Sequence, residues 1–201
     1  MKKLLLVLAF VVACSAMASA QVPKPFSLYA GGLISMPQSP DEFKDNFKTG
    51  WHFQVGFGWK AAPNLQVVPK IEYQNFAIDY DESPVFSTTY GIEGGNSKMW
   101  LFGADGRYSF GLPAAPLKPF ALGGFGLANI SQSDFEGTDP LVTAYNAASE
   151  SQTKFYWNIG GGVDLKTGPA WSLYAQLRYV SVATEGDSFG FIPLTLGVKF
   201  F

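Results

Sequence analysis

The sequence predicts an all-β fold: a closed, eight-stranded antiparallel up-and-down barrel whose strands cross a membrane. Three observations carry that expectation. About eight segments alternate bulky apolar side chains with small or polar ones, each near the roughly 9 to 11 residues that a tilted strand needs to span a bilayer. All five tryptophans, Trp51, Trp59, Trp100, Trp157 and Trp171, fall on the apolar face near a strand end, where aromatic girdles meet the two membrane interfaces. The connections alternate between short turns and long polar loops, and an even number of strands lets the sheet close, so that no unpaired edge faces lipid.

The chain starts with Lys2 and Lys3 ahead of an apolar run from Leu4 to Ala13 and a small-residue stretch from Ala16 to Ala20. This pattern predicts a secretory signal peptide over residues 1–20, cut after Ala18, Ser19 and Ala20, and a single β-barrel domain over residues 21–201. A rival reading takes Val11, Val12, Ala13 and Cys14 as a box resembling a bacterial lipoprotein cleavage site, with Cys14 acylated. With the later cut the only cysteine leaves with the signal, which excludes disulfides, thiol chemistry and sulfur-based metal clusters. No other stretch approaches the ~20 apolar residues of a membrane-spanning helix.

Charged residues make up 15% of the chain and aromatics 16%, with 22 glycines, a balance poor in charge and rich in aromatics for an ordinary soluble domain. The formal charge of −2 offers no nucleic-acid footprint.

The expected strands run in order from Phe26 to Met36, Trp51 to Lys60, Leu65 to Phe76, Met99 to Phe110, Phe120 to Ile130, Phe155 to Lys166, Trp171 to Val180 and Phe191 to Phe201. In WHFQVGFGWK, the side chains of Trp51, Phe53, Val55, Phe57 and Trp59 oppose those of His52, Gln54, Gly56, Gly58 and Lys60, because successive strand residues point to opposite faces. The same parity sets Trp100, Phe102 and Tyr108 against Asp105 and Arg107, Trp157 and Ile159 against Asn158 and Asp164, and Trp171 and Tyr179 against Gln176 and Arg178. Tyr73 and Tyr179 join one girdle, and Tyr108, Phe110 and Phe200 the other.

Between the strands, Ala61 to Asn64, Gly111 to Lys118 and Thr167 to Ala170 are rich in Pro, Gly and Asn, as tight turns require. Pro37 to Gly50, Ala77 to Lys98, Ser131 to Lys154 and Ser181 to Gly190 are long and polar. They hold most of the acids, including Asp41, Glu42, Asp45, Asp79, Asp81, Glu82, Asp134, Glu136 and Asp139. Solvated loop tips account for these, and no calcium-loop spacing appears among them. Phe86, Tyr90, Leu141 and Tyr145 offer an apolar surface for an unidentified ligand.

Charges within strands fall on the polar face, as they must if the other face meets lipid. Lys70, Glu72, Asp105, Arg107, Asp164 and Arg178 form the expected lumen network, whose plainest role is an ionic plug and whose sharper one is a gate or solute path. Lys199 shares that face, while Lys24, Lys60, Lys118 and Lys166 gather at the short-turn rim. Gly31, Gly56, Gly58, Gly123, Gly160 and Gly162 are expected on the polar face, where they lower the fill of the lumen unless Tyr29, Tyr156 and Tyr174 occupy it.

The segments PFALGGFGLANI, NIGGGVDLK and PLTLGVKFF resemble the small eight-stranded outer-membrane β-barrel family, which includes the barrels of outer membrane proteins A, X and W. The resemblance covers nearly the whole mature chain. It implies an outer-membrane location among lipid and lipopolysaccharide, and insertion by the barrel-assembly machinery through a C-terminal strand ending in an aromatic residue. Here Ile192, Leu194, Leu196 and Val198 lead to Phe200, leaving Phe201 out of register. The final strand ends the chain, so no appended periplasmic domain is expected.

The resemblance implies no cofactor and no metal. It implies a non-enzymatic structural or surface-interaction role, with a narrow channel or carrier for small or apolar solutes, similar to outer membrane protein W, as the alternative. Some barrels of this kind modify lipid A with histidine, serine and an acid. The single histidine, His52, at the loop end of its strand, has Asp81 and Ser83 as conceivable partners, but a lone polar histidine at a lumen rim is the simpler reading. A soluble lipid-binding barrel resembling lipocalins is the other alternative, and the glycines opposite the tryptophans suit a solvated exterior poorly.

Overall fold

The computed structural model describes residues 26–80, 93–110, 115–136, 146, 151–184, 186 and 188–201. The expected signal segment and Cys14, together with Lys24, Asp81, Glu82, Ser83, Phe86, Tyr90, Asp139, Leu141 and Tyr145, lie outside the described residues.

Eight strands form the closed barrel: β1 (Phe26–Ser39), β2 (Gly50–Ala62), β3 (Leu65–Phe76), β5 (Ser97–Ser109), β6 (Leu117–Gln132), β8 (Gln152–Lys166), β9 (Trp171–Val182) and β10 (Phe189–Phe200). Each pairs antiparallel with its neighbours, and β1 bonds to β10 as well as β2, which closes the ring. Closure satisfies the backbone groups that lipid would leave unpaired. The order of the strands is that of the up-and-down expectation.

Most strands run past their expected ends. The pairing of β5 with β6 starts at Ser97 and Gln132, and that of β6 with β8 reaches Gln152. These polar residues break the apolar alternation, but a backbone ladder needs no apolar side chain to continue. At the other extreme β10 stops at Phe200, and Phe201 is held by a bond from its N–H to the Ala170 carbonyl, 2.9 Å.

The long connections also contain structure. A short helix, α1 (Asp41–Asn46), folds over the loop end, and the two-residue strands β4 (Glu93–Gly94) and β7 (Phe135–Glu136) pair outside the barrel. A bridge between Phe47 and Ile78 joins the first long connection to the second, and Ile78 packs with Phe135.

Faces follow the predicted parity in most strands. Trp51 and Trp59 are each 51% exposed, whereas His52, Gln54, Gly56 and Gly58 between them are buried. β6 departs from the expectation at Gly123, which points outward, while Phe120 and Leu122 are buried inside. ALGGFGLA carries apolar residues at both parities, so alternation alone assigns no face to it. The remaining polar-face glycines do not hollow out the lumen. A Cβ on Gly58 would stand 2.7 Å from the Tyr29 ring, and one on Gly31 would stand 2.6 Å from the Tyr174 hydroxyl. Glycine is required there because tyrosines already fill the space.

Candidate functional site

Side chains from opposite walls meet in the lumen in three layers. At the loop end, Phe43 of α1 inserts among Phe76, Met99, Leu101, Tyr156, Val180 and Phe191, all buried. Phe43 is 2% exposed and stacks edge-on against Phe76 at 5.2 Å. This apolar plug was not legible in advance, because Phe43 belongs to the acidic stretch DEFKDN, which reads as a solvated loop.

Beneath it lies a buried ionic cluster. Lys70 on β3 reaches Glu72 at 3.4 Å and Asp105 on β5 at 2.9 Å. Glu72 accepts hydrogen bonds from Arg178 on β9 at 2.7 Å and from the Gln74 amide at 2.5 Å. Asn158 donates to Asp105 at 2.9 Å. Arg178 also donates to Gln54 at 3.2 Å, and the Gln54 amide donates to the Tyr174 hydroxyl at 3.1 Å.

The third layer is centred on Asp164. Arg107 pairs with it, and the Lys199 ammonium stands 3.5 Å away. The Arg107 guanidinium carbon lies 3.4 Å from the centre of the Phe120 ring, a cation–π contact in a desolvated setting. Lys199 donates to Gln66 at 3.2 Å, and the same oxygen accepts from the Tyr29 hydroxyl at 2.5 Å.

The six predicted network residues therefore fall into two groups, Lys70, Glu72, Asp105 and Arg178 in the first and Arg107 and Asp164 in the second. Lys199 completes the lower group. It had the right parity, but charge balance among the six gave no reason to include it. Buried ions hold together only when paired and hydrogen-bonded, since desolving a lone charge costs several kcal/mol. Between the groups the lumen keeps a cavity of about 20 Å³, lined by Lys70, Asp105 and Arg107 among others, roughly the size that admits one water.

His52 is not at the rim. It is 3% exposed, and its Nε2 lies 2.9 Å from the Thr195 hydroxyl across the lumen. Its conceivable partners Asp81 and Ser83 are outside the described residues. Among the described residues no cluster of three or more His, Cys, Asp or Glu side chains is placed to hold a metal ion.

The outward aromatics cluster toward the two ends of the barrel. Tyr73 touches Trp51 and Trp100, with ring centroids 5.4 and 4.8 Å away, and Trp157 lies 5.8 Å from Tyr179. Toward the short turns, Phe200 sits opposite Trp171 in the ladder, and the rings of Tyr108 and Phe110 are 5.1 Å apart.

An apolar exterior, a closed ring of eight antiparallel strands and an ion-filled interior define a transmembrane β-barrel. The chain belongs to the outer membrane protein beta-barrel domain family, whose model matches residues 6–200. Its place is accordingly the cell outer membrane of Gram-negative bacteria, among membrane lipids. Solved structures of similar shape include Neisserial surface protein A, with a TM-score of 0.62 and 18% identity over 88% of this chain and 97% of that one. Another is the attachment invasion locus protein of Yersinia pestis, with a TM-score of 0.53 and 16% identity over 87% and 96% of the two chains. The outer membrane protein OprG of Pseudomonas aeruginosa has a TM-score of 0.55 and 12% identity over 87% and 94%. At these identities the likeness is one of fold. No curated protein matches the sequence.

Proposed function

We propose that this protein is a non-enzymatic outer-membrane barrel with a structural or surface-interaction role, its lumen closed by its own side chains. The observation that carries the reading is the stacking of an apolar plug on two ionic groups along the axis, with Phe43, Leu101, Glu72 and Arg178 each no more than 2% exposed. The short turns face the periplasm and the long connections face outward, the asymmetry usual for such barrels. The tryptophans, with Tyr179 and Phe200, sit at the two membrane interfaces, where amphipathic rings are favoured. The strand ending at Phe200 engages the assembly machinery, residues 1–20 serve as the export signal, and lipopolysaccharide surrounds the outer half.

Against a catalytic role for His52 stand its burial, with the ring 3% exposed beside the Thr195 hydroxyl, and the engagement of the nearby Glu72 carboxylate by Arg178, Lys70 and Gln74. A surface role draws on the outer connections, where α1, the β4–β7 pair and the Phe47–Ile78 bridge build an ordered platform, and recognition favours loops held on a rigid scaffold. The test is a swelling assay on proteoliposomes loaded with a large sugar and diluted into small sugars. Swelling at the protein-free rate is expected. Rapid swelling that scales with protein content would favour a channel.

A further inference from the structure

At the short-turn end the lumen opens into a cup of about 450 Å³. Its wall carries four lysines, Lys60, Lys118, Lys166 and Lys199, and one acid, Asp164. The ladder sets three of them along one arc, with Lys60 separated from it by β1. Lys118 on β6 stands opposite Asp164 on β8, and Ser172 on β9 stands between Lys166 on β8 and Lys199 on β10. Lys60 on β2 stands beyond β1, opposite Gln66 on β3.

Asp164 already serves Arg107 and Lys199 deeper in the lumen, and among the described side chains of the wall it is the single acid against four lysines. The excess is local, because the chain as a whole carries a net charge of −2. A concave wall of one sign over a low-dielectric floor focuses its field and concentrates counter-charge inside it. Lysine is the point-charge partner of phosphate, and several ammoniums around one centre suit the spread negative charge of a phosphoryl group better than a planar carboxylate. The volume lies within the range of small-molecule sites, about 300 to 1,000 Å³, and Phe201 on the wall, its ring 5.1 Å from the Lys199 ammonium, supplies apolar surface for an attached organic body.

We propose that this cup binds a phosphate-class anion, presented either by a free phosphorylated solute or by the headgroup of a lipid in the adjoining leaflet. Binding follows from the lysine arc alone. Only the side of the membrane it serves depends on the orientation proposed above.

The test uses the full mature chain folded in uncharged dodecylmaltoside micelles and, separately, in nanodiscs of phosphatidylcholine with or without phosphatidylglycerol. Pyrophosphate is titrated into the micelles against chloride at equal ionic strength, and the amide resonances of Ser172 and Lys199 are followed. A saturable shift with pyrophosphate in micelles assigns a free solute, and a shift confined to phosphatidylglycerol nanodiscs assigns a lipid headgroup. In either case a K60Q/K118Q/K166Q variant, which leaves Asp164 its two deeper partners, binds roughly tenfold more weakly or worse. Lys166→Gln alone gives a smaller loss in the same direction and serves if the triple variant does not fold. The proposal is overturned if neither probe shifts these resonances, if chloride reproduces the shift, or if the folded variants respond as the unmodified chain does.

Discussion

Arg178 and Glu72 meet at 2.7 Å although their strands, β9 and β3, are not neighbours in the barrel. The bond spans the lumen and ties one wall to the other, with both side chains essentially excluded from solvent. Lys70 shares the same carboxylate and links it to Asp105 on β5. Three strands are thereby stapled through two acids, Glu72 and Asp105.

Removing one partner of a buried pair strands the other, at a cost of about 3 to 5 kcal/mol. Glu72→Ala is therefore expected to lower resistance to urea by about that amount, measured as the loss of the fast-migrating folded form in detergent gels. Replacing Glu72, Lys70, Asp105 and Arg178 together with Leu, Met, Asn and Met, so that no charge of the cluster is left unpaired, should recover much of the loss. A single substitution with no effect would contradict the paired, desolvated cluster.

Exterior positions should respond to charge in the opposite way to interior ones. Leu177 points outward and is 49% exposed to the surroundings, so Leu177→Arg is expected to destabilise the inserted barrel by about 2 to 4 kcal/mol if it lies near mid-bilayer. Thr184→Arg, beyond the end of β9, should cost little. Equal effects at the two sites would argue against burial of that face in lipid.

Phe43 anchors the helix α1 over the loop mouth, packed against Phe47, Phe76 and Phe189. Phe43→Ala is expected to cost about 3 to 5 kcal/mol if the cavity it leaves cannot collapse, and to speed proteolysis of the first long connection. The lumen should remain closed, since the ionic groups lie beneath it. An unchanged cleavage rate would mean that α1 is not held by this contact.

His52 offers a direct check on chemistry. Overproduction of the intact protein and of His52→Asn is expected to leave the mass of lipid A unchanged in both cases, as read by mass spectrometry. A mass change that vanishes with the substitution would establish an activity for this side chain.

The strands and their faces were readable because the outer surface must stay apolar along its whole height, which imprints the period of two on Trp51 to Trp59 and Trp171 to Tyr179. β6 escaped that rule, since Phe120 and Leu122 fill the lumen while Phe125 and Leu127 face outward, so both parities look alike. Strand ends were underestimated where the ladder continues through polar residues such as Ser97 and Gln132. Charge parity put the six ions on one face but named no partners, because Glu72 and Arg178 meet only once eight strands have closed and set their opposite walls in contact. The plug was hidden for a related reason. Phe43 and Val182 sit where local sequence reads as loop or strand end, and only closure brings them together.

The proposed closure of the lumen is tested most directly by recording the refolded protein, residues 21–201, in planar lipid bilayers under applied voltage. The stacked plug and ionic groups predict insertion, shown by protease protection of the same membranes, without large and stable conductance steps. Uniform, long-lived steps from the inserted protein, retained after Phe43→Ala and altered by Glu72→Gln, would show that ions pass through the network and would contradict a lumen closed by its own side chains.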